Sequence, residues 1–125
     1  MCGFIALYSS KGLTYKEQQK LKLVGSRLAH RGPDSSGFYA DTNVALFFVR
    51  LSIQDLNPRS NQPYIIEKEN VVVCFNGEIY NFRSIRKKLE LLGFQFYTMS
   101  DTEVFAKAYL AWGMKFVKEL RGMFA

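Results

Sequence analysis

At 125 residues and 14.4 kDa the chain has single-domain size, and 48% apolar content with eleven Phe and seven Tyr excludes intrinsic disorder. No apolar run approaches the roughly 18 residues of a membrane span, so no membrane partner is expected. The net charge of +6 suits an anionic substrate or acidic partner, and no aromatic-basic motif accompanies it, so nucleic acid is not expected.

Gly3–Tyr8 (GFIALY) predicts a short buried strand. Thr14-Tyr-Lys-Glu17 has capping-box spacing, and Leu21, Val24 and Leu28 make an apolar stripe at helical period. That helix is expected to end before Arg31-Gly32-Pro33. Val44–Val49 and Val71–Phe75 are bulky and β-prone, hence buried strands. Asn81–Leu92 places Ile85, Leu89 and Leu92 on one helical face, with Gly93 as the stop. A short strand should follow, then a helix over Ser100–Trp112, opened by Ser100-x-x-Glu103 and closed before Gly113. The order lacks regular βαβ alternation, so a mixed or antiparallel layered α/β (α+β) fold is favoured. Leu120–Ala125 reads as entry into another buried strand, which leads us to expect a longer parent protein.

MCGFIALYSSKG has no basic n-region and only about six apolar residues, so no signal peptide is expected and a cytoplasmic location follows by default. Cys2 and Cys74 can build no disulfide framework and show no metal-ligand spacing, so no metal site is expected. A single histidine, His30, excludes sites that need two.

Several residues carry a functional reading beside a plain structural one. A small residue at position 2 normally permits removal of Met1, which would leave Cys2 at the N-terminus. Its α-amine, with an ordinary pKa of about 7.7–8.0, could then serve as base for its own thiol. The plain alternative is a small residue in a first strand. His30 ends a helix and is either a base or a structural residue. Arg50 ends a strand and offers a planar fork to a carboxylate, or else a surface ion pair. Asn76-Gly77 is a common hairpin turn, or an oxyanion hole built from an amide and a backbone N–H. Asp101 sits in a first helical turn, where it either complements the helix dipole or grips an ammonium. Together Cys2, Arg50, Asn76, Gly77 and Asp101 would suit hydrolysis of the side-chain amide of a free amino acid.

MCGFIA, HRGPDSSG, RLSIQDL, FNGEIYNF and SDTEV occur in the order seen in glutamine-hydrolysing asparagine synthetases. The chain resembles their class II, N-terminal-nucleophile glutamine amidotransferase domain over nearly its whole length. The resemblance implies a four-layer αββα antiparallel sandwich. It implies that Cys2 attacks glutamine and forms a glutamyl thioester, with Asn76 and Gly77 holding the oxyanion. Arg50 would bind the α-carboxylate and Asp101 the α-ammonium, while Glu78 and the Leu51-Ser52-Ile53 segment line the pocket. No cofactor is implied for this domain. A synthetase domain absent from these residues would use ATP and Mg to activate aspartate for the released ammonia. A homodimer is a further option.

Phe47-Phe48-Val49 departs from the Gly-His that usually precedes this arginine, and is expected to alter the pocket wall or ammonia exit. The family domain also continues past Ala125, so residues 1–125 are read as a domain incomplete at its C-terminal end. Three readings compete: a glutaminase half, an inactive or regulatory glutamine- or partner-binding domain, and an amidotransferase for another acceptor such as a surface sugar.

Overall fold

A computed structural model describes residues 2–53 and 55–125. The question of Met1 therefore lies outside the described residues. Three strands, β1 (Gly3–Tyr8), β2 (Ser35–Ala40) and β3 (Val44–Arg50), form an antiparallel sheet in the order β1-β3-β2. The central strand β3 pairs Val49 with Gly3 and Arg50 with Ser35, which brings the start of the chain to the end of β3.

Helix α1 (Tyr15–Gly25) opens with the expected capping box: Glu17 N–H donates to Thr14 Oγ1, and Thr14 N–H donates to Glu17 Oε2. The helix buries Leu21 and Gly25, whereas Val24 faces solvent, a correction to the predicted stripe. Gly25 explains the shift. A Cβ there would lie 2.3 Å from the Phe47 ring, so α1 packs more closely at this glycine than a side chain would allow. Leu21, Ala45, Phe47 and Val49 form that core, supported by Ile5, Leu7 and Leu28. After α1, a 3-10 turn over Ser26–His30 carries the chain to Arg31-Gly32-Pro33.

Side chains alternate along β3, so Phe48 and Arg50 face away from α1. The Gln62 carbonyl passes 2.0 Å from where a Gly37 Cβ would stand, so the Gln62-Pro63 segment crosses that second face. Beyond it lie two antiparallel pairs, β4 (Tyr64–Ile66) with β5 (Val71–Val73) and β6 (Gly77–Ile79) with β7 (Gly122–Phe124). Helices α2 (Phe82–Leu91) and α3 (Asp101–Trp112) pack with them around Val73, Phe75, Ile79, Ile85, Leu89, Val104 and Phe116. The fold is mixed α/β with antiparallel sheets, as expected.

Several local expectations change. The Val71–Phe75 strand stops at Val73, and no strand separates α2 from α3 among the described residues. Asn76-Gly77 is not a hairpin turn, because Asn76 exchanges two backbone hydrogen bonds with Ala125 and Gly77 opens β6. β7 is a strand but an exposed one. Ile85 and Leu89 are buried, whereas Leu92 is exposed. Gly93 ends α2 in left-handed geometry, with its N–H on Glu90 and the Phe94 N–H on Leu89. Ser100 caps α3 through Thr102 N–H at 3.0 Å, but Glu103 does not complete a capping box; it turns into the core toward Tyr97, Thr98 and Lys107. Among the described residues, no helix is long and apolar enough to cross a membrane.

Candidate active site

A cavity of about 250 Å³ opens where the end of β3, the residues entering β6 and the start of α3 meet. Cys2, Arg50, Leu51, Ile53, Asn76, Gly77, Glu78 and Asp101 all line it. Ser52 does not. Its N–H instead donates to Asp34 Oδ2 at 2.7 Å, which staples the loop after β3 to the turn before β2. His30 is also elsewhere, exposed, with Nδ1 3.0 Å from the Arg27 carbonyl. Phe47, Phe48 and Val49 are buried and none lines the cavity, so that departure changes core packing and leaves the wall of the cavity alone.

Cys2 precedes β1 and lies beside Leu51, whose N–H is 3.4 Å and whose carbonyl is 3.6 Å from Sγ. The Cys2 carbonyl accepts from Arg31 Nε at 3.1 Å, which fixes the backbone behind the thiol. Arg50 is only 5% exposed, which excludes a surface ion pair. Its guanidinium donates to Asn61 Oδ1 at 2.6 Å and to the carbonyls of Asp55 and Asn57, holding the 55–61 loop from inside.

The β6–β7 register decides where the backbone of β6 points. Asn76 N–H donates to Ala125 and Tyr80 N–H to Arg121, so both face β7. Antiparallel ladders alternate, so the N–H groups of Gly77 and Ile79 face the opposite edge. Ile79 N–H there donates to Asp101 Oδ2 at 3.0 Å. The Gly77 N–H therefore lies on the same edge of β6 as the Asp101 carboxylate. Glycine is required at this point, since a Cβ would lie 2.2 Å from the Met123 carbonyl of β7.

Asp101 is buried at the first position of α3. Burial raises its carboxyl above the ordinary aspartate value, and the nearby Glu78 charge adds to the rise, against the pull of N–H donors led by Ile79. A buried carboxylate in that state gains from a cation placed beside it. Cys74 behaves differently from Cys2: it does not line the cavity, and burial pushes its thiol up to about 12.

A thiol, a backbone N–H, a guanidinium and a carboxylate thus surround one small cavity. The glutamine amidotransferase domain family matches the chain over residues 1–125. The chain belongs to that family. It is 40% identical to asparagine synthetase [glutamine-hydrolyzing] 1 of Bacillus subtilis (strain 168), across all of this chain and 20% of that protein. It is 40% identical to asparagine synthetase [glutamine-hydrolyzing] of Zea mays and 37% identical to asparagine synthetase B [glutamine-hydrolyzing] of Escherichia coli (strain K12), again over the whole chain. It spans 21% and 22% of those two relatives, about a fifth of each.

Sequence reasoning missed part of the wall of this amidotransferase domain, notably Gln62, Phe75, Ser100, Thr102 and Met123. Gln62 is the most consequential, being buried and bonded to both Phe75 and Thr102. A single polar residue before a proline carries no periodicity that would mark it as buried. Ser100 was legible as a helix cap, but not as a wall residue.

Proposed function

We propose that this chain is the glutaminase half of an asparagine-synthetase-like amidotransferase, releasing ammonia from L-glutamine. The observation that carries the reading is the placement of Cys2, Arg50, Gly77 and Asp101 around one cavity of about 250 Å³. That volume lies below the range of drug-sized pockets and suits a small amino acid.

With Met1 removed, the α-amine of Cys2 takes the thiol proton and Sγ attacks the side-chain carbonyl of glutamine. The oxyanion is held by the Gly77 N–H and the Asn76 side-chain amide. Collapse breaks the C–N bond, ammonia leaves with the proton from the amine, and a glutamyl thioester remains. Water then adds to the thioester carbonyl, releasing glutamate and restoring the thiol. Arg50 grips the α-carboxylate and Asp101 the α-ammonium, while Leu51, Ile53 and Glu78 shape the pocket.

The same reading extends the fold to a four-layer αββα sandwich. α1 forms one outer layer on the β1-β3-β2 sheet, and α2 and α3 form the other over the remaining strands. In a full-length protein the ammonia passes to a synthetase domain, where ATP and Mg activate aspartate; no step of the glutaminase reaction uses them.

The deciding experiment is an assay of glutamate release from glutamine by the processed full-length protein. Turnover that disappears in Cys2→Ala is the expected result. Glutamine binding without release would replace this reading with a binding domain of the same fold.

A further inference from the structure

The loop after β3 is mostly exposed, with Ile53 at 66% and Leu56 at 73%, yet it contains one buried carboxylate. The Asp55 side chain is only 7% exposed. Its backbone carbonyl accepts from Arg50 Nη2, on the carboxylate side of the proposed glutamine site. Its side chain reaches the other side, where Oδ2 accepts from Met99 N–H at 2.7 Å. Met99 stands two residues before Asp101, next to Ser100, which caps α3. Asp55 Oδ1 also accepts from Asn57 N–H at 3.2 Å, and the Arg59 guanidinium lies 3.8 Å from Oδ2. The residue adopts left-handed backbone geometry (φ 44°), which aspartate and asparagine accept more readily than most. One residue thus bonds directly to Arg50 and to the segment that delivers Asp101.

We infer that Asp55 is a positioning residue that fixes the spacing between the Arg50 guanidinium and the Asp101 carboxylate, and so selects a ligand with both head-group charges of an α-amino acid. The inference rests on the glutamine reading of the cavity and adds to it a residue that lies outside the cavity wall. The separation of two clamps, one for carboxylate and one for ammonium, decides which zwitterion satisfies both at once. Two partly independent loops would let that separation drift, and small displacements of a bound reactant are costly. Asp55 joins the loops by a charge-assisted bond. Burial acts to raise its carboxyl, but several donors led by the Met99 N–H, with the Arg59 charge beside them, outweigh that and hold it below the usual carboxylate value.

The test uses the processed full-length protein and two substrates, L-glutamine and 4-carbamoylbutanoate, which is glutamine without its α-amino group. Asp55→Gly tolerates the left-handed backbone and keeps the carbonyl that meets Arg50, while removing the carboxylate. It should raise KM for glutamine about tenfold or more with kcat little changed, as expected when binding geometry loosens and the chemistry survives. The preference for glutamine over the analogue should shrink in parallel. Asp55→Asn keeps an acceptor for Met99 and should restore both values to within about twofold of the parent. If the glycine variant does not fold, Asp55→Ser, too short to reach Met99, carries the same comparison. Loss of rate on both substrates with the preference intact would assign Asp55 a merely structural role and overturn the inference. A parent protein that releases no glutamate at all would instead overturn the glutamine reading itself.

Discussion

Gln62 holds Phe75 by both of its backbone groups. Its Oε1 accepts from Phe75 N–H at 2.5 Å, and its Nε2 donates to the Phe75 carbonyl at 3.1 Å. The side-chain amide stands in for a neighbouring strand just where β5 has ended. The same Nε2 reaches Thr102 Oγ1 at 3.2 Å. Phe75 precedes Asn76-Gly77 and Thr102 follows Asp101, so Gln62 ties the proposed oxyanion donors to the proposed ammonium clamp.

Gln62→Ala would leave the Phe75 N–H and carbonyl buried without this partner. Unsatisfied buried polar groups cost about 1–3 kcal/mol each, so with two of them stranded the variant should lose on the order of 2–6 kcal/mol. Urea unfolding reads this as a lower midpoint at unchanged slope. In the full-length protein the fraction that stays folded should show a reduced kcat, because the displaced groups are the proposed oxyanion donors. A midpoint equal to that of the parent would mean that water replaces the amide at no cost.

What the sequence made legible is local. The Thr14–Glu17 capping box and the Gly93 stop depend on residues within one or two helical turns, and both appear at atomic detail. Ser100-x-x-Glu103 has the same spacing, but Lys107 stands one turn further on the buried side of α3 and competes for the carboxylate. Spacing alone cannot rank those two partners. The Asn76-Gly77 hairpin signal failed for a different reason: β6 pairs with Gly122–Phe124, a strand from the far end of the chain. The residue types around the cavity were readable, and their convergence rested on resemblance. Gln62 and Asp55 were not singled out, because their roles consist of contacts between loops distant in sequence.

The two proposed head-group clamps should separate glutamine use from ammonia use. Arg50→Lys and Asp101→Asn in the processed full-length protein should weaken glutamine-driven synthesis far more than ammonia-driven synthesis. Asp101→Asn retains an acceptor for Ile79 N–H but cannot carry the charge. Because burial raises the Asp101 carboxyl, ionising it costs stability as pH rises through its folded value. The asparagine variant should therefore melt no lower than the parent at neutral pH, while failing to use glutamine. In the parent, KM for glutamine should rise on acidification at a pH above the ordinary aspartate value of about 3.9, as the ammonium clamp is protonated. Equal loss of both nitrogen sources would make the two residues structural.

Acid stability should depend on Glu103. Burial acts to raise this carboxyl, but the Lys107 ammonium and Thr98 hydroxyl, with the Tyr97 and Thr98 N–H groups, outweigh it and hold it below the ordinary value. A depressed carboxylate contributes stability above its unfolded pKa of about 4.3 and loses it as pH falls through the lower folded value. Glu103→Gln strands the buried Lys107, and breaking such a pair costs about 3–5 kcal/mol. The variant should thus be less stable at pH 7 and show a shallower loss below about pH 4.5. Denaturant unfolding at pH 7, 5 and 3.5 measures both effects. Parallel pH profiles for parent and variant would assign the acid limb to other carboxylates.

The nucleophile assignment turns on the difference between two thiols. Cys2 lines the cavity, whereas Cys74 lies outside it with its thiol pushed up to about 12 by burial. At neutral pH Cys74 is almost wholly protonated, and the thiolate is the reactive form. A diazo-ketone analogue of glutamine should therefore label Cys2 alone. The labelling should also depend on Met1, since a retained methionine converts the α-amine of Cys2 into an amide without basicity. Asn76→Ala probes the second part of the machinery: loss of one oxyanion donor typically lowers kcat by about 10²–10³, or roughly 3–4 kcal/mol. It should leave Cys2 present and able to bind the analogue. Peptide mass mapping of the full-length protein, with and without Met1, reads each position directly. Label on Cys74, or equal label on Cys2 in both forms, would sink the N-terminal nucleophile mechanism.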